Sequence, residues 1–177
     1  DDLLLGAPTN RGTDVMGYVD GQGTAARFRS LQGIAVDSAG NVYVTEGGNR
    51  DVRKISASGL VTTLASGTDK FSEPRGIAID STGVFYVGDY GANVVRRVTS
   101  TGVVSTYSGT APVAGSNDGT ISTALFNGPS GIAIDTAGNI YVADTLNNTV
   151  RKITTTGTVT TLAGAPGRTS SLDGSAT

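Results

Sequence analysis

The sequence predicts an all-β protein built from a repeated unit. Glycine is abundant, at 26 of 177 residues, and only 16% of the residues are charged. Turn signals recur about every 8 to 12 residues, which is typical of short antiparallel strands joined by tight turns. The length is that of a single domain that buries a core.

Three segments of the chain repeat the same order of strands and turns. They begin at Gly33, Gly76 and Gly131, and their first five residues read Gly-Ile-Ala-Val-Asp once and Gly-Ile-Ala-Ile-Asp twice. Each continues through a turn, an apolar run, a polar loop, a Val-Arg segment, a glycine turn and a Thr/Val-rich run. This order predicts four strands per unit, which we name a, b, c and d.

The repeated unit has the size and the strand number of a β-propeller blade. The units start 43 and 55 residues apart, and four-stranded repeats of about 40 to 50 residues are typical of propellers. Strands a and b are apolar on both faces, so each sheet must be covered on both sides. A radial stack of sheets does this without helices. A flat β-solenoid is the alternative, although its repeats are usually shorter.

The third unit, residues 131–153, resembles an NHL repeat, the unit of a large family of β-propellers. It reads Gly-Ile-Ala-Ile-Asp-Thr-Ala-Gly-Asn-Ile-Tyr-Val-Ala-Asp-Thr-Leu-Asn-Asn-Thr-Val-Arg-Lys-Ile, and the pattern recurs in the other two units. The resemblance implies a propeller of usually six blades that serves mostly as a binding platform, with lyase, esterase and lactonase relatives. Two departures are Glu46, where the other units have aspartate, and Val84, which replaces a turn asparagine.

The repeats predict an incomplete propeller with three complete blades and partial flanking units. We expect strand a of each blade, such as 34–36, to line the axis, and strand d, such as 60–65, to form the outer edge. Three blades cannot close a ring, so the sequence favours a piece of a longer propeller over a half-propeller that pairs with a second copy. Within the segment 1–177, the predicted layout is an outer strand of a preceding blade at 1–8, blades at 33–67, 76–109 and 131–164, and a connector to a missing blade at 165–177.

The composition excludes several kinds of chemistry. The chain has no cysteine and no histidine, which excludes disulfides, Cys/His zinc sites, cysteine nucleophiles and imidazole bases. It has no phosphate-binding glycine-rich motif, and no apolar run approaches the ~18 residues of a membrane span. We therefore predict no catalytic residue, no metal and no cofactor.

Polar residues that recur in every unit have both a structural and a functional interpretation. The aspartates that open the a–b turns could form a ring of carboxylates, but an aspartate three residues before a glycine more simply caps its own turn. The arginines of strand c could form a basic stripe for nucleic acid, but we expect each to pair with a carboxylate of its own or the next blade. The aspartates are Asp37, Asp80 and Asp135, and the arginines are Arg53, Arg96 and Arg151.

Two further sets of carboxylates resemble fragments of calcium sites. Asp89 and Asp144 begin b–c loops, but one carboxylate per loop falls short of the six to eight oxygens that Ca²⁺ takes. The Asp-Gly pairs are first of all turn signals, and we favour turn bonding for both sets. These pairs lie at 20–21, 118–119 and 173–174.

Comparison of the units locates a candidate binding surface. The a–b and c–d turns, at the end that we call the bottom, are nearly identical, whereas the b–c loops and d–a connectors at the top diverge. Binding side chains usually lie on variable loops held by a rigid scaffold, so we predict the site at the top. Tyr90 stands out there because its counterparts are Gly47 and Thr145. The candidate binding residues are Glu46, Asn49, Arg50, Tyr90, Asn93, Leu146 and Asn147.

The leading functional hypothesis is a non-catalytic module of a larger protein that binds a protein, peptide or glycan on its top loops. One alternative is a fragment of a propeller enzyme, of the lyase or lactonase/esterase type, whose site lies mostly in absent blades. RNA binding is another, which a net charge of −2 does not favour. As further partners we expect self-association or missing blades, but neither nucleic acid nor a membrane. The lack of cysteine and scarcity of lysine suit an extracellular or periplasmic bacterial protein.

Overall fold

The computed structural model describes residues 17–168 of the chain. In this range the regular structure consists of β-strands and three short 3₁₀ turns, at Gly23–Ala25, Tyr90–Ala92 and Thr145–Asn147. The strands are β1 (Gly21–Gln22), β2 (Leu31–Val36), β3 (Val42–Glu46), β4 (Asp51–Ile55), β5 (Leu60–Ser66), β6 (Pro74–Ile79), β7 (Phe85–Asp89), β8 (Val94–Val98), β9 (Val104–Ser108), β10 (Gly119–Thr120), β11 (Pro129–Ile134), β12 (Ile140–Asp144), β13 (Thr149–Ile153) and β14 (Thr158–Gly164).

The strands form three antiparallel sheets, each made from one repeated unit. Strands β2 to β5 are consecutive neighbours in the first sheet, β6 to β9 in the second and β11 to β14 in the third. We call these sheets blades 1, 2 and 3, and their four strands correspond to a, b, c and d. The prediction of an all-β fold with four-stranded antiparallel propeller blades is confirmed.

Blades 1 and 3 each have a fifth strand that the sequence analysis did not predict. Strand β1 pairs with β5, with Gly21 opposite Val61, and β10 pairs with β14, with Gly119 opposite Val159. The prediction that strand d of blade 1 forms the outer edge is therefore wrong for residues 60–61. The Asp-Gly segment before the blade adds a short strand there.

The blades pack face to face, and the hydrophobic cores lie between them. We call the side of each blade that faces the preceding unit its front, and the opposite side its back. The back of blade 1 packs on the front of blade 2, where the rings of Tyr43 and Phe85 lie 4.4 Å apart. The back of blade 2 packs on the front of blade 3, around Val95, Phe126 and Val142. Each interior blade face is thus part of a core.

The inner strands of neighbouring blades approach closely because each contains a glycine. A Cβ on Gly33 would overlap the carbonyl oxygen of Arg75 and lie 2.9 Å from the Cα of Gly76. A Cβ on Gly76 would overlap the carbonyl oxygen of Ser130 and lie 2.9 Å from the Cα of Gly131. Any side chain at these positions would push two blades apart, so glycine is required.

An aspartate caps each a–b turn, as the sequence predicts. In blade 2, Oδ1 of Asp80 accepts hydrogen bonds from the backbone N–H groups of Thr82 at 2.8 Å and Val84 at 3.0 Å. Asp37 and Asp135 accept the equivalent hydrogen bonds in blades 1 and 3. Each carboxylate thus bonds within its own turn, which identifies the three aspartates as caps.

Some predicted features lie outside the described residues. They are the outer strand at 1–8, the Asp-Gly pair at 173–174 and the connector beyond residue 168.

Removal of the cap in blade 2 is expected to destabilise the protein. Asp80→Ala should lower the free energy of unfolding at pH 7 by about 1 kcal/mol, by analogy with lost helix caps. Asp80→Asn keeps an oxygen acceptor in the same place and should cost less. Urea denaturation measures both, and an unchanged stability of Asp80→Ala at pH 7 would contradict the capping role.

The stabilisation by Asp80 is also expected to depend on pH. Burial disfavours the charged carboxylate, but hydrogen bonds from Thr82 and Val84 outweigh it and lower the pKa of Asp80. The contribution is therefore present above pH ~4, the pKa of an unfolded aspartate, and is lost as the pH falls further. The difference in stability between wild type and Asp80→Ala should shrink between pH 5 and pH 2.

Candidate binding surface

The b–c loops lie at the same end of each blade as the connectors that lead into strand a. In blade 2, the N–H of Tyr90 donates to the carbonyl oxygen of Glu73 at 3.0 Å, and in blade 3 the N–H of Leu146 donates to that of Asn127 at 3.0 Å. The top of the blades is therefore built from loops and connectors that hydrogen bond to one another. The a–b and c–d turns lie at the opposite ends of the strands.

The three b–c loops end in the same backbone conformation but carry different side chains. The last residue of each loop is left-handed, with φ of 59° at Arg50, 59° at Asn93 and 57° at Asn148. In blades 2 and 3 the residues just before it form a 3₁₀ turn. The loops therefore differ in their side chains but share the backbone conformation of their last residue.

A fully buried arginine lies beneath the top loop of blade 3. The guanidinium of Arg151 pairs with Asp144, at the start of the loop, at 3.1 Å and with Asp118 of the connector at 2.8 Å. It also donates hydrogen bonds to the carbonyl oxygens of Leu125 and Asn117. The arginine thus fastens the b–c loop and the connector to strand c.

Blade 1 has the same arrangement around Arg53. Its guanidinium pairs with Glu46 at 2.8 Å and with Asp20 at 2.7 Å, and it donates to the carbonyl oxygens of Val19 and Arg27. Glu46 is fully buried. This corrects the prediction that Glu46 contacts a ligand, because its carboxylate has no exposed surface and neutralises a buried guanidinium.

Blade 2 has a reduced form of this arrangement. Arg96 pairs with Asp89 at 3.1 Å and donates to the hydroxyl of Thr106 at 2.7 Å. Asp89 also accepts hydrogen bonds from the N–H groups of Ser72 and Glu73 in the connector. The strand-c arginine pairs with a carboxylate of its own blade in all three blades, so this prediction is confirmed and the basic stripe is wrong.

The Asp-Gly pairs at 20–21 and 118–119 have a role that the sequence analysis missed. Asp20 accepts hydrogen bonds from the hydroxyl and the N–H of Thr63, both at 3.0 Å, and Asp118 accepts one from the hydroxyl of Thr161 at 3.0 Å. The glycine that follows each aspartate begins β1 or β10. A signal was present in the sequence, since only the two connectors that form this fifth strand carry the pair among residues 17–168.

Two asparagines predicted as contact residues bond within the arginine networks. Asn147 is buried and donates to the carboxylate of Asp144 and to the carbonyl oxygen of Gly115, each at 2.7 Å. Its burial corrects the prediction that it contacts a ligand. Asn49 is half-buried and donates to Glu46 at 3.1 Å.

Asn93 joins the top loop of blade 2 to the connector that leads into blade 3. Its side chain donates to the carbonyl oxygen of Pro112 at 2.9 Å and accepts a hydrogen bond from the N–H of Gly128 at 2.9 Å. Both polar atoms of the half-buried amide are thus engaged within the protein, and its main role in this structure is to position the connector.

Three of the predicted residues present side chains at the top surface. Arg50 is exposed, Leu146 is 53% exposed and Tyr90 is partly exposed. Tyr90 and Leu146 come from neighbouring blades and converge over Gly128. A Cβ on Gly128 would lie 2.7 Å from Cε2 of Tyr90 and 2.9 Å from Cγ of Leu146.

Arg75, which the sequence analysis did not single out, lies against the ring of Tyr90. Its guanidinium carbon is 3.3 Å from the ring centroid, and the same guanidinium pairs with Glu73 at 2.7 Å. Arg75 precedes the glycine of strand a, at a position where blades 1 and 3 have Gln32 and Ser130. Position 75 thus varies among the units, and the comparison of units that identified the variable loops could have identified it too.

Asp51, at the start of strand c in blade 1, is buried, and neither of its carboxylate oxygens has a hydrogen-bond partner. It lies opposite Glu46 in the sheet. Burial, together with the negative charge of Glu46, raises the pKa of Asp51 to about 8, against an opposing effect of Arg53. The other blades have valine and threonine at this position, so the additional carboxyl group is particular to blade 1.

The chemistry available at the top is that of a binding surface. Residues 17–168 contain no group of three or more side chains suited to hold a metal ion. Apart from the buried Asp51, the carboxylates beneath the loops pair with arginines, which leaves an aromatic ring, guanidinium groups and apolar side chains for contact with a ligand. No helix in the described part of the chain is long and apolar enough to cross a membrane.

Comparison with protein families agrees with the repeat found in the sequence. The family model of the NHL repeat matches residues 126–153, which comprise strands a, b and c of blade 3 with the end of the connector. The resemblance to NHL-repeat propellers is thereby confirmed. The search of curated protein sequences finds no match.

Several solved structures share the fold. A protein of unknown function from Bacteroides thetaiotaomicron is 25% identical with a TM-score of 0.66, over 77% of this chain and 36% of its own. An auxiliary nutrient binding protein from Bacteroides ovatus is 24% identical with a TM-score of 0.66, over 78% and 37%. Virginiamycin B lyase from Staphylococcus aureus is 23% identical with a TM-score of 0.56, over 75% and 40%. The chain thus matches less than half the length of each of these proteins.

Replacement of Arg151 is expected to destabilise the protein strongly. Arg151→Met keeps much of the side-chain volume but leaves Asp144 buried without its counter-charge, so the free energy of unfolding should fall by about 3–5 kcal/mol. The double variant with Asp144→Leu removes both charges and should recover part of this loss. Arg50→Ala, at an exposed arginine, is the control and should cost at most about 0.5 kcal/mol. Equal effects of Arg151→Met and Arg50→Ala in chemical denaturation would contradict the anchoring role.

Asp51 is expected to make the protein less stable as the pH rises. Its pKa is higher in the folded than in the unfolded chain, so its effect on stability turns unfavourable between about pH 4 and pH 8. Asp51→Val, which introduces the residue of blade 2, should remove this dependence and raise the free energy of unfolding at pH 8 by about 1–3 kcal/mol. Thr149→Val, at the equivalent position of blade 3, has no titrating group and is the control. The free energy of unfolding is measured by chemical denaturation at several pH values. The same dependence of this free energy on pH in wild type and Asp51→Val would refute the expectation.

Proposed function

We propose that this chain is part of a non-catalytic binding module whose ligand docks on its top loops. One observation carries the proposal: the b–c loops end in the same left-handed backbone conformation and each rests on an arginine–carboxylate pair, yet they present different exposed side chains. Variable side chains on a rigid support are typical of recognition surfaces. The ligand we propose is a protein, a peptide or a glycan.

The centre of the proposed site is the top cluster, formed by Arg75, Tyr90 and Leu146. An aromatic ring with a guanidinium on one face offers stacking, hydrogen bonding and apolar contact within a small area. Tyrosine and arginine are also the residue types that contribute most to protein interfaces. Arg50 extends the site towards blade 1 with a second guanidinium.

The internal pairing of the polar groups supports binding over the two alternatives. An enzyme of the lyase or lactonase type would need acid–base groups that reach its ligand. The carboxylates beneath the described loops are paired with Arg53, Arg96 or Arg151, and the one that is not, Asp51, is fully buried. An RNA-binding propeller would need exposed cations for phosphate contacts, and two of these three arginines are fully buried. The enzyme alternative therefore requires a catalytic site that lies in other blades.

The comparisons support a binding role and a wider context for it. The Bacteroides ovatus protein of this fold is described as nutrient binding, whereas the Staphylococcus aureus lyase represents the enzyme alternative. We propose blades at 33–67, 76–109 and 131–164 as the units of the module, and an extracellular or periplasmic location in a bacterium. As a second kind of partner, for the side faces of the blades, we propose another copy or further blades.

The proposal is tested by a ligand screen followed by matched variants. The purified 177-residue chain is applied to glycan and peptide arrays, and the affinity of each hit is measured by calorimetry. Tyr90→Ala and Arg50→Ala should weaken binding about tenfold or more, because each removes a contact side chain. The cost in stability should be about 1 kcal/mol or less, and Asp80→Ala should bind normally once folded.

A bottom-face variant provides the control. Thr136→Ala alters an exposed side chain of the a–b turn in blade 3 and should leave the affinity unchanged. Loss of binding with Thr136→Ala and normal binding with Tyr90→Ala would place the site at the bottom instead. Conversion of a bound ligand into a product would favour the enzyme alternative.

A further inference from the structure

The back of blade 3 has the surface that blades 1 and 2 bury against their neighbours. Val52 and Val95 are fully buried at the centre of the first two back faces, whereas the equivalent Val150 is 39% exposed. Their equivalence is shown by the sheet register, in which Val52 lies opposite Ala65 and Val150 lies opposite Ala163. This back face is thus apolar and uncovered in the described structure.

The exposed area on blade 3 extends across the sheet. Leu162 of strand d is 57% exposed, whereas Leu64, at the equivalent position of blade 1, packs against the core between blades 1 and 2. At the inner end, Gly131, Ala133 and Tyr141 line an apolar depression with Val150. Exposed apolar surface of this kind marks a site of association.

The glycine of the inner strand is independent evidence that the back of blade 3 is uncovered. A Cβ on Gly33 or Gly76 would overlap the backbone of the next blade, but a Cβ on Gly131 would meet only the side chain of Ala143, at 3.5 Å. The first two glycines are needed because an inner strand lies directly on them. Gly131 leaves the same space free on the back of blade 3, and among the described residues no inner strand fills that space.

The front of blade 1 is the complementary surface. Ile77, on the front of blade 2, is 5% exposed because it packs on the back of blade 1, whereas the equivalent Ile34 is 68% exposed. Val36, two residues further along the same strand, is 56% exposed. The connector covers the outer part of this face through Ala26 and Phe28, so the uncovered part is the inner strand.

We infer that the back of blade 3 docks on the front of blade 1 of a second copy of this chain, the alternative to the longer propeller that the sequence favours. The contact repeats one that occurs twice within the chain, between blades 1 and 2 and between blades 2 and 3. The glycine at 131 would receive the inner strand β2 of the second copy, and Val150 would pack where Val52 and Val95 pack internally. This inference specifies the self-association in the proposed function and does not involve the top loops, so either can fail without the other.

The geometry of this contact makes the association head-to-tail. Each copy offers one back face and one front face, so two copies that dock reciprocally form a closed pair, and non-reciprocal docking forms an open row. A variant that damages only the back face keeps a working front face, and the converse holds for a front-face variant. A back-face variant and a front-face variant should therefore associate with each other when mixed. A contact between two identical patches would not be restored in this way.

The test measures the mass of the 177-residue chain by sedimentation velocity over a range of concentrations. Wild type should associate, and Val150→Asp and Ile34→Asp should each raise the dissociation constant at least tenfold, because each places a charge in an apolar contact. A mixture of the two variants should associate again, through the intact back face of Ile34→Asp and the intact front face of Val150→Asp. Val103→Asp, at an exposed valine outside both faces, is the control and should behave as wild type.

Circular dichroism melting curves establish that each variant is folded, and Leu162→Asp and Val36→Asp replace a variant that is not. A monomeric wild type at all concentrations would overturn the inference and assign both faces to further blades of the same polypeptide. The inference would also be overturned if both variants associated with the dissociation constant of wild type. A mixture of the two variants that stayed monomeric would overturn it as well. The affinity of any top-face ligand for the dissociated variants reports separately on the proposed function.

Discussion

The structure depends on a buried guanidinium beneath the top loop of a blade. Burial of a charge costs several kcal/mol unless opposite charges and hydrogen bonds compensate it. For Arg151, Asp144 of the loop and Asp118 of the connector supply the charges, and two connector carbonyl groups accept further hydrogen bonds. Segments far apart in sequence must therefore meet at one point. The fifth strand and the course of the connector follow from this, because Asp118 also bonds to strand d.

The second constraint is the distance between blades, which the inner-strand glycines set. With no side chain at Gly33 and Gly76, the backbones of adjacent inner strands come into contact, and larger side chains fill the space between the sheets further out. Rings such as those of Tyr43 and Phe85 lie in that space. Small residues on the inner strands and large ones further out thus set the spacing between the blades. The same grading is present on the uncovered back of blade 3, from Gly131 to Leu162.

The sequence predicted those features that are set by local geometry, and it failed where burial depends on distant partners. The turn aspartates were identified because Asp80 and its partners Thr82 and Val84 lie within five residues. The four strands of each blade followed from turns and apolar runs. Glu46 was assigned to the surface because it begins a variable loop, and its burial follows from Arg53, which itself needs Asp20, 33 residues away. Variation among units identifies a loop, but it does not tell which of its side chains point inwards.

Blade 1 shows how the top surface varies while the support stays the same. Its loop has glycines where blade 2 has Tyr90 and blade 3 has Leu146 at neighbouring positions, and a Cβ on Gly48 would lie 2.6 Å from Cγ of Arg29. The connector's Arg29 therefore covers the place that loop side chains occupy in the other blades, and its N–H donates to the buried Glu46. Between blades 2 and 3 the surface has an aromatic ring and an apolar side chain beside the guanidinium of Arg75, whereas on blade 1 it has the side chains of arginines such as Arg29 and Arg50 beside glycines. Because the arginine–carboxylate pair below is present in both places, the exposed side chains vary without loss of the interactions that hold the loops.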